Sequence, residues 1–139
     1  MTKTRAPGCQ RTVELRKGQR IKASDIKVNV YNAGSIAGLA DNTLHDLHDQ
    51  GFRRGTAENA PAGVSAHNVT ILTDYKKSPQ VALLASQFRG RVRITSGPAL
   101  AEGVDVIVGN SFKGIASGAK KSLRLEKRLR LCAGAVSGS

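Results

Sequence analysis

Tryptophan is absent from this 139-residue sequence, and 3 phenylalanines and 2 tyrosines make up its whole aromatic content. Any core must therefore rest on Val, Ile, Leu and Ala. Cysteine occurs only at Cys9 and Cys132, which excludes a scaffold stapled by several disulfides. No stretch approaches about 18 consecutive apolar residues, so no transmembrane helix is expected within the sequence. Residues 1–7 do not lead into the apolar region of a signal peptide either. Acidic residues are scarce: 10 Asp and Glu stand against 22 Lys and Arg, for a formal net charge of +12. At this length the expectation is one domain with a single modest core.

The basic excess belongs to the flanks. Before Val28 the chain carries Lys3, Arg5, Arg11, Arg16, Lys17, Arg20, Lys22 and Lys27 against Glu14 and Asp25. After Gly109 it carries Lys113, Lys120, Lys121, Arg124, Lys127, Arg128 and Arg130 against Glu126 alone. Between them the two signs balance, with Arg53, Arg54, Lys76, Lys77, Arg89, Arg91 and Arg93 offset by as many acidic residues. A neutral middle with two basic arms is attracted to polyanions. Nucleic acid, an anionic membrane surface and acidic wall polymers all meet that description.

Residues 27–51 hold the clearest local pattern. Val28 and Val30 alternate with Asn29 and Tyr31, the period-two signature of a strand with one buried face. Asn32-Ala33-Gly34-Ser35 breaks the alternation with turn residues, and Ser35 is placed to cap a helix over 36–50. Ile36, Ala40, Leu44 and Leu47 then form an apolar stripe, with Gly51 placed to end the helix and Phe52 to fold back onto it. Further strands are predicted over 52–58 and 68–73, separated by a loop through Pro61 and Gly63. Ser78-Pro79 marks a capped second helix with the stripe Val81, Leu84, Ala85 and Phe88, ended by Gly90. A strand over 91–95 turns Val92 and Ile94 inward. One over 104–108 is apolar on both parities except at Asp105, as a central strand is. The order β-α-β-β-α-β plus an extra strand predicts an α+β fold of the split β-α-β, ferredoxin-like kind, with two helices on one face of a mixed sheet.

The same residues carry a resemblance. Val28-Asn29-Val30-Tyr31-Asn32-Ala33-Gly34-Ser35, then Gly38-Leu39-Ala40, a leucine-bearing helix and Gly51-Phe52, is similar to the opening of the LytR C-terminal domain. The likeness continues through Gly55, Asn59-Ala60-Pro61 and Val69-Thr70-Ile71-Leu72. It ends in Gly103-Val104-Asp105-Val106-Ile107-Val108-Gly109-Asn110-Ser111-Phe112, similar to the closing strand of that domain. Residues 27–112 therefore resemble a small module found mainly in actinobacterial cell-envelope proteins. Residues 1–26 form a basic N-terminal arm with a short strand, and residues 113–139 a hinge followed by a basic C-terminal strand or tail. The resemblance implies an extracytoplasmic, non-catalytic module. Such a module stands alone behind a membrane anchor or behind a LytR-CpsA-Psr phosphotransferase domain. The anchor is expected to precede the sequence in the full-length protein; if Met1 is the true start, the chain is cytoplasmic.

The terminal segments have patterns of their own. Residues 123–131 read Leu, Arg, Leu, Glu, Lys, Arg, Leu, Arg, Leu, a period-two alternation that favours a strand over a helix. Thr12-Val13-Glu14-Leu15 alternates in the same way near the other end. If these terminal strands pair, Cys9 and Cys132, which lie just outside them, come within bridging range. The extracytoplasmic setting implied by the resemblance favours that disulfide, whereas a cytoplasmic chain would hold two unrelated thiols.

No constellation of catalytic residues stands out. His45 and His48 share a helix with Asp41 and Asp49, yet both lie off the apolar stripe and His67 is far away in sequence, so no metal site is assigned. Gly109 to Gly114 and Gly114 to Ser122 lack the Gly-x4-Gly-Lys-Ser/Thr spacing of a phosphate loop. Ser65 and His67 have no nucleophile elbow around them. Asn32, Gly34 and Ser35, at the expected helix N-terminus, are a candidate anion site, with a tight turn and a Ser cap as the simpler reading.

The expectation is thus a non-enzymatic envelope module without a cofactor, acting in binding or scaffolding during wall assembly or in envelope integrity. Lys120, Lys121, Arg124, Arg128 and Arg130 are the candidate anion contacts, joined by Arg16, Lys17 and Arg20 if the termini pair. The partner is an anionic envelope polymer, a membrane surface or another envelope protein. The alternative is a cytoplasmic nucleic-acid-binding α+β protein. It is disfavoured because Tyr31 is the only aromatic in a predicted strand core, where RNA-binding sheets display several.

Overall fold

The computed structural model describes residues 12–74, 78–97 and 100–132. Two short strands, β1 (Thr12–Leu15) and β2 (Arg20–Lys22), precede a 3-10 turn at Ala23–Asp25. A β-α-β unit follows in β3 (Lys27–Asn32), α1 (Leu39–Asp49) and β4 (Arg53–Asn59). The plan repeats in β5 (Val69–Thr73), α2 (Pro79–Ala85) and β6 (Val92–Ser96). The chain ends in β7 (Val104–Val108), β8 (Ser122–Arg124) and β9 (Leu129–Cys132).

Five of these strands form one mixed sheet in the order β4-β3-β7-β5-β6. Within each β-α-β unit the two strands are direct, parallel neighbours. The last strand of the series, β7, stands between the units, parallel to β3 and antiparallel to β5. All five of its residues are buried, in keeping with a sequence apolar on both parities. Val28, Val30, Val69, Ile71, Val106 and Val108 line one face and join Ala40, Leu44, Leu47, Val81 and Leu84 of the helices in a single core. Burying each large aliphatic side chain contributes about 1.5–3 kcal/mol, so this layer supplies the stability that missing aromatics do not. The α+β class with two helices and a mixed sheet is that expected from the sequence; the strands of each β-α-β unit are adjacent, whereas the split, ferredoxin-like arrangement would hold another strand between them.

The helices show where local signals suffice. Ser78 caps α2, its Oγ accepting from the Gln80 and Val81 amides at 3.2 and 3.4 Å, with Pro79 at the first helical position. α1 closes in a Schellman turn, with Phe52 N–H donating to the Leu47 carbonyl and Gly51 N–H to that of His48. Gly51 holds φ +105°, and Phe52 is buried behind it. The start of α1 departs from expectation. It begins at Leu39, not at residue 36, with Gly38 in the left-handed region at the N-cap, and Ile36 is 47% exposed rather than part of the stripe. The cause is Asn32, whose side chain accepts from Gly34 N–H at 2.9 Å and donates to the Ile36 carbonyl at 2.7 Å, wrapping residues 33–36 into their own turn. α2 is likewise shorter than its stripe, and Phe88 packs beyond it, edge-on to Phe112 with ring centroids 6.2 Å apart.

The terminal strands pair. β1 lies antiparallel to β9 with Glu14 opposite Arg130, and β2 antiparallel to β8 with Arg20 opposite Arg124. The single strand expected over 123–131 is thus two short strands. Leu125, between them, is buried in the core and exchanges backbone hydrogen bonds with Gly18 and Gln19. Thr12 stands opposite Cys132, but the Cys9–Cys132 bridge lies outside the described residues.

On the face away from the helices, Asn29 and Asp105 are each 1% exposed and stand opposite each other on β3 and β7. Asn29 Nδ2 donates to Asp105 Oδ1 at 3.1 Å and to the Glu102 carbonyl at 2.7 Å, while its Oδ1 accepts from Thr56 N–H at 2.9 Å. The last bond fixes a bulge in β4, where the pairing register shifts between Val28 and Val30. Gly55 belongs there because a Cβ would collide with the Asn29 side chain and the Val28 carbonyl. Asn29→Ala strands the Thr56 amide and one Asp105 oxygen, and should cost about 2–3 kcal/mol in denaturant unfolding. A loss below about 0.5 kcal/mol would show that water replaces the amide without penalty.

Burial pushes the Asp105 pKa above the ordinary carboxylate value, against the lowering effect of the Leu100, Asn29 and Ala101 donors. A folded-state pKa raised above the unfolded one contributes stability that is complete below about pH 4 and is lost as pH rises through the folded value. The stability of the wild type relative to Asp105→Asn, which cannot ionise there, should therefore fall as pH rises from about 4 toward neutrality. Urea melts of both proteins across that range measure it, and a wild type that gains stability relative to the variant as pH rises would contradict the assignment.

Candidate functional site

The paired termini gather basic side chains that lie far apart in sequence. In the β2–β8 ribbon, Ile21 is buried against the core, so Arg20 and Lys22 on either side of it must point outward. Register sets Arg20 opposite Arg124 and Lys22 opposite Ser122. The ribbon is fixed at both ends. Gly18 N–H donates to the Leu125 carbonyl and Ala23 N–H to that of Lys121, each at 2.8 Å. Arg124 Nη1 donates to the Gly18 carbonyl at 3.0 Å, holding its guanidinium over the turn that carries Arg16 and Lys17.

Beside this ribbon is an open cleft of about 240 Å³. Arg20, Lys22 and Lys121 supply its charge, Ser24 and Ser122 its hydroxyls, and the Gln50-Gly51 end of α1 its remaining wall. Arg20, Lys22 and Lys121 form no ion pair with a carboxylate among the described residues. The cleft therefore offers ammonium and guanidinium donors with neighbouring hydroxyls, the chemistry of anion binding.

The other predicted contacts divide. Arg128 and Arg130 flank Glu14 at 3.5 and 3.7 Å, so this carboxylate offsets part of their charge. Arg16, Lys17 and Lys120 are exposed, and the Lys120 backbone is tied down by Gln87 Nε2 at 2.7 Å. Lys22 was not among the predicted contacts, although its spacing of two from Arg20 puts both on one strand face.

Asn32, Gly34 and Ser35 are not at a helix N-terminus, because α1 begins later. Their amides are occupied: Gly34 N–H donates to Asn32, and Ser35 N–H donates to Asn110 Oδ1 at 2.8 Å. Gly34 has no room for a Cβ against the Asn110 side chain. The turn is thus bonded by two asparagines. His45 lies 3.5 Å from Asp49, and His48 Nδ1 lies 3.1 Å from the Phe52 carbonyl, both on the exposed side of α1.

Comparison with known proteins fits the scaffold. The family model described as LytR cell envelope-related transcriptional attenuator matches residues 25–112. Among solved structures, the soluble domain of a conserved hypothetical secreted protein from Mycobacterium marinum superposes with a TM-score of 0.52 at 23% identity, over 73% of this chain and 77% of that one. At that identity the likeness is one of fold. No curated protein matches the sequence significantly. The family match spans the five-stranded sheet and both helices but excludes the basic ribbon, and on that match the chain belongs to the LytR cell envelope-related transcriptional attenuator family.

Proposed function

We propose that this protein is a non-catalytic, extracytoplasmic cell-envelope module that binds an anionic envelope polymer or membrane surface through the ribbon built from its two termini. The family's cell-envelope description and the secreted M. marinum relative support the compartment. The observation that carries the binding role is the register of the ribbon, which sets Arg20 opposite Arg124 beside Lys22 and Lys121. Like charges directly opposite on paired strands are destabilising by up to roughly 1 kcal/mol, so stability alone gives no reason for the arrangement. An anionic partner does.

Each exposed contact is worth about 0.2–1 kcal/mol, so affinity arises from several acting together and falls with salt. Nucleic acid fits less well. Tyr31, the aromatic of the central strands, is 5% exposed and has no face free for a base. Burial, with Asp105 and Glu58 nearby, also raises its pKa and keeps it a neutral phenol.

Binding to phosphatidylglycerol vesicles and to a phosphate-bearing wall polymer, each titrated with salt and set beside RNA and DNA, tests the reading. Arg20→Gln with Arg124→Gln should weaken envelope binding about tenfold and flatten its salt dependence. The melting temperature should stay unchanged or rise slightly, since a repulsion is removed. Unchanged affinity in this variant would sink the role of the ribbon. Equal, steeply salt-dependent binding to all four ligands would sink an envelope-specific partner.

A further inference from the structure

The sheet face that carries no helix holds a second basic feature, inside the family-matched region and apart from the ribbon. Two adjoining hollows of about 240 and 210 Å³ share Ser65, Thr70 and Arg93 as lining residues. Parallel register places Arg93 opposite Thr70 and Thr95 opposite Leu72, so all four project on this face. Arg91, two residues before Arg93, lines the same groove. Neither guanidinium pairs with a carboxylate among the described residues, whereas Arg54 is held by Asp41 and Lys27 by Glu102.

The opposite wall is built into the fold. The loop over 63–67 lies close across the end of β7, where Ser111 N–H donates to the His67 carbonyl at 2.9 Å and Gly109 N–H to that of Asn68 at 3.1 Å. A Cβ at Gly109 would run into the Ala66 and His67 carbonyls, so glycine is what lets the wall approach. Asn68 fixes the near end, donating to the Arg89 and Arg91 carbonyls and accepting from Lys113 N–H. The groove is therefore preformed, and a ligand need not organise it.

We infer that this groove binds a single anionic sugar unit, its carboxylate or phosphate held by Arg91 and Arg93. Hydroxyls of Ser65, Thr70 and Thr95 match a polyhydroxylated ring, and Leu72, half-buried over the fully buried Ile107, gives its C–H face an aliphatic contact. Each hollow is smaller than the roughly 300–1,000 Å³ typical of drug-sized ligands, which restricts the occupant to about one ring. No Phe, Tyr or Trp lines it, so it lacks the aromatic platforms on which successive bases stack in single-strand-binding sites. Planar guanidinium donors grip carboxylate and phosphate in two-pronged fashion, which sets this site apart from a diffuse field of lysines.

Amide chemical shifts of the 139-residue chain, titrated with glucuronate, glucose 1-phosphate, glucose and inorganic phosphate, decide the matter. Saturable shifts at Thr70, Arg93 and Thr95 are expected with one or both acidic sugars, and the tighter of the two identifies the preferred headgroup. Arg91→Gln with Arg93→Gln should weaken that binding about tenfold or more, while Lys22→Gln with Lys121→Gln, on the ribbon, should leave it unchanged. Absence of saturable shifts in the groove would overturn the proposal. So would equal binding of glucose, or of inorganic phosphate, since the first needs no arginine and the second no sugar.

Discussion

Insertion of β7 between two finished β-α-β units is the constraint on which the rest of the structure depends. Neither unit's sheet is complete without it, because β3 and β5 each need a partner on the side facing the other. The strand arrives last and from a distance in sequence, so its register must be specified strongly. On the helix side, Val104, Val106 and Val108 specify it through the core. On the other side a polar device does so: Asp105 meets Asn29 across the strand pair, and the same amide holds the β4 bulge and the Glu102 carbonyl. A slip of one residue would put this carboxylate among the valines, at a cost of several kcal/mol for an unpaired buried charge.

Asparagine recurs as the residue that closes this fold's loops. Asn29 fixes the bulge, Asn32 and Asn110 fix the turn before α1, and Asn68 joins the starts of β5 and β6 to the segment after β7. Each amide offers donors and an acceptor at once, so one side chain satisfies backbone groups of both signs. This explains why residues that look like a binding loop, such as Gly34 and Ser35, leave no free amide for a ligand. The motif residues serve the architecture, and the cationic surface lies largely outside them. The ribbon rests on the helical layer through Ile21, Leu123 and Leu125, which gives the two basic arms a fixed geometry that a pair of free tails would lack.

Much of this was legible in the sequence, and what was not follows a physical pattern. The Ser78-Pro79 cap and the Gly51-Phe52 helix end are set by contacts within a few residues, and each stands where the sequence placed it; β3 also does, but it is buried on both faces rather than on the one its alternation implied. The place of β7 in the sheet, the burial of Leu125 in the core and the late start of α1 depend on partners in other parts of the chain or on a side-chain bond that competes with helix. The same holds for sites. Arg20 and the C-terminal cations were recognisable as charge, but their convergence required the register of the terminal strands. Arg91 and Arg93 were hidden by a balanced count of charges, because balance in number is not pairing in space.

The central claim is that the termini fold onto the neutral domain and hold their cations in one fixed cluster. Native-state hydrogen exchange at the amides of Gly18, Ala23 and Leu125 tests it most directly, since all three donate across the junction between the two arms. The account predicts protection that approaches that of the β7 amides, reporting opening only with the domain as a whole. Exchange of these three amides at the rate of an unfolded chain, with β7 still protected, would contradict it.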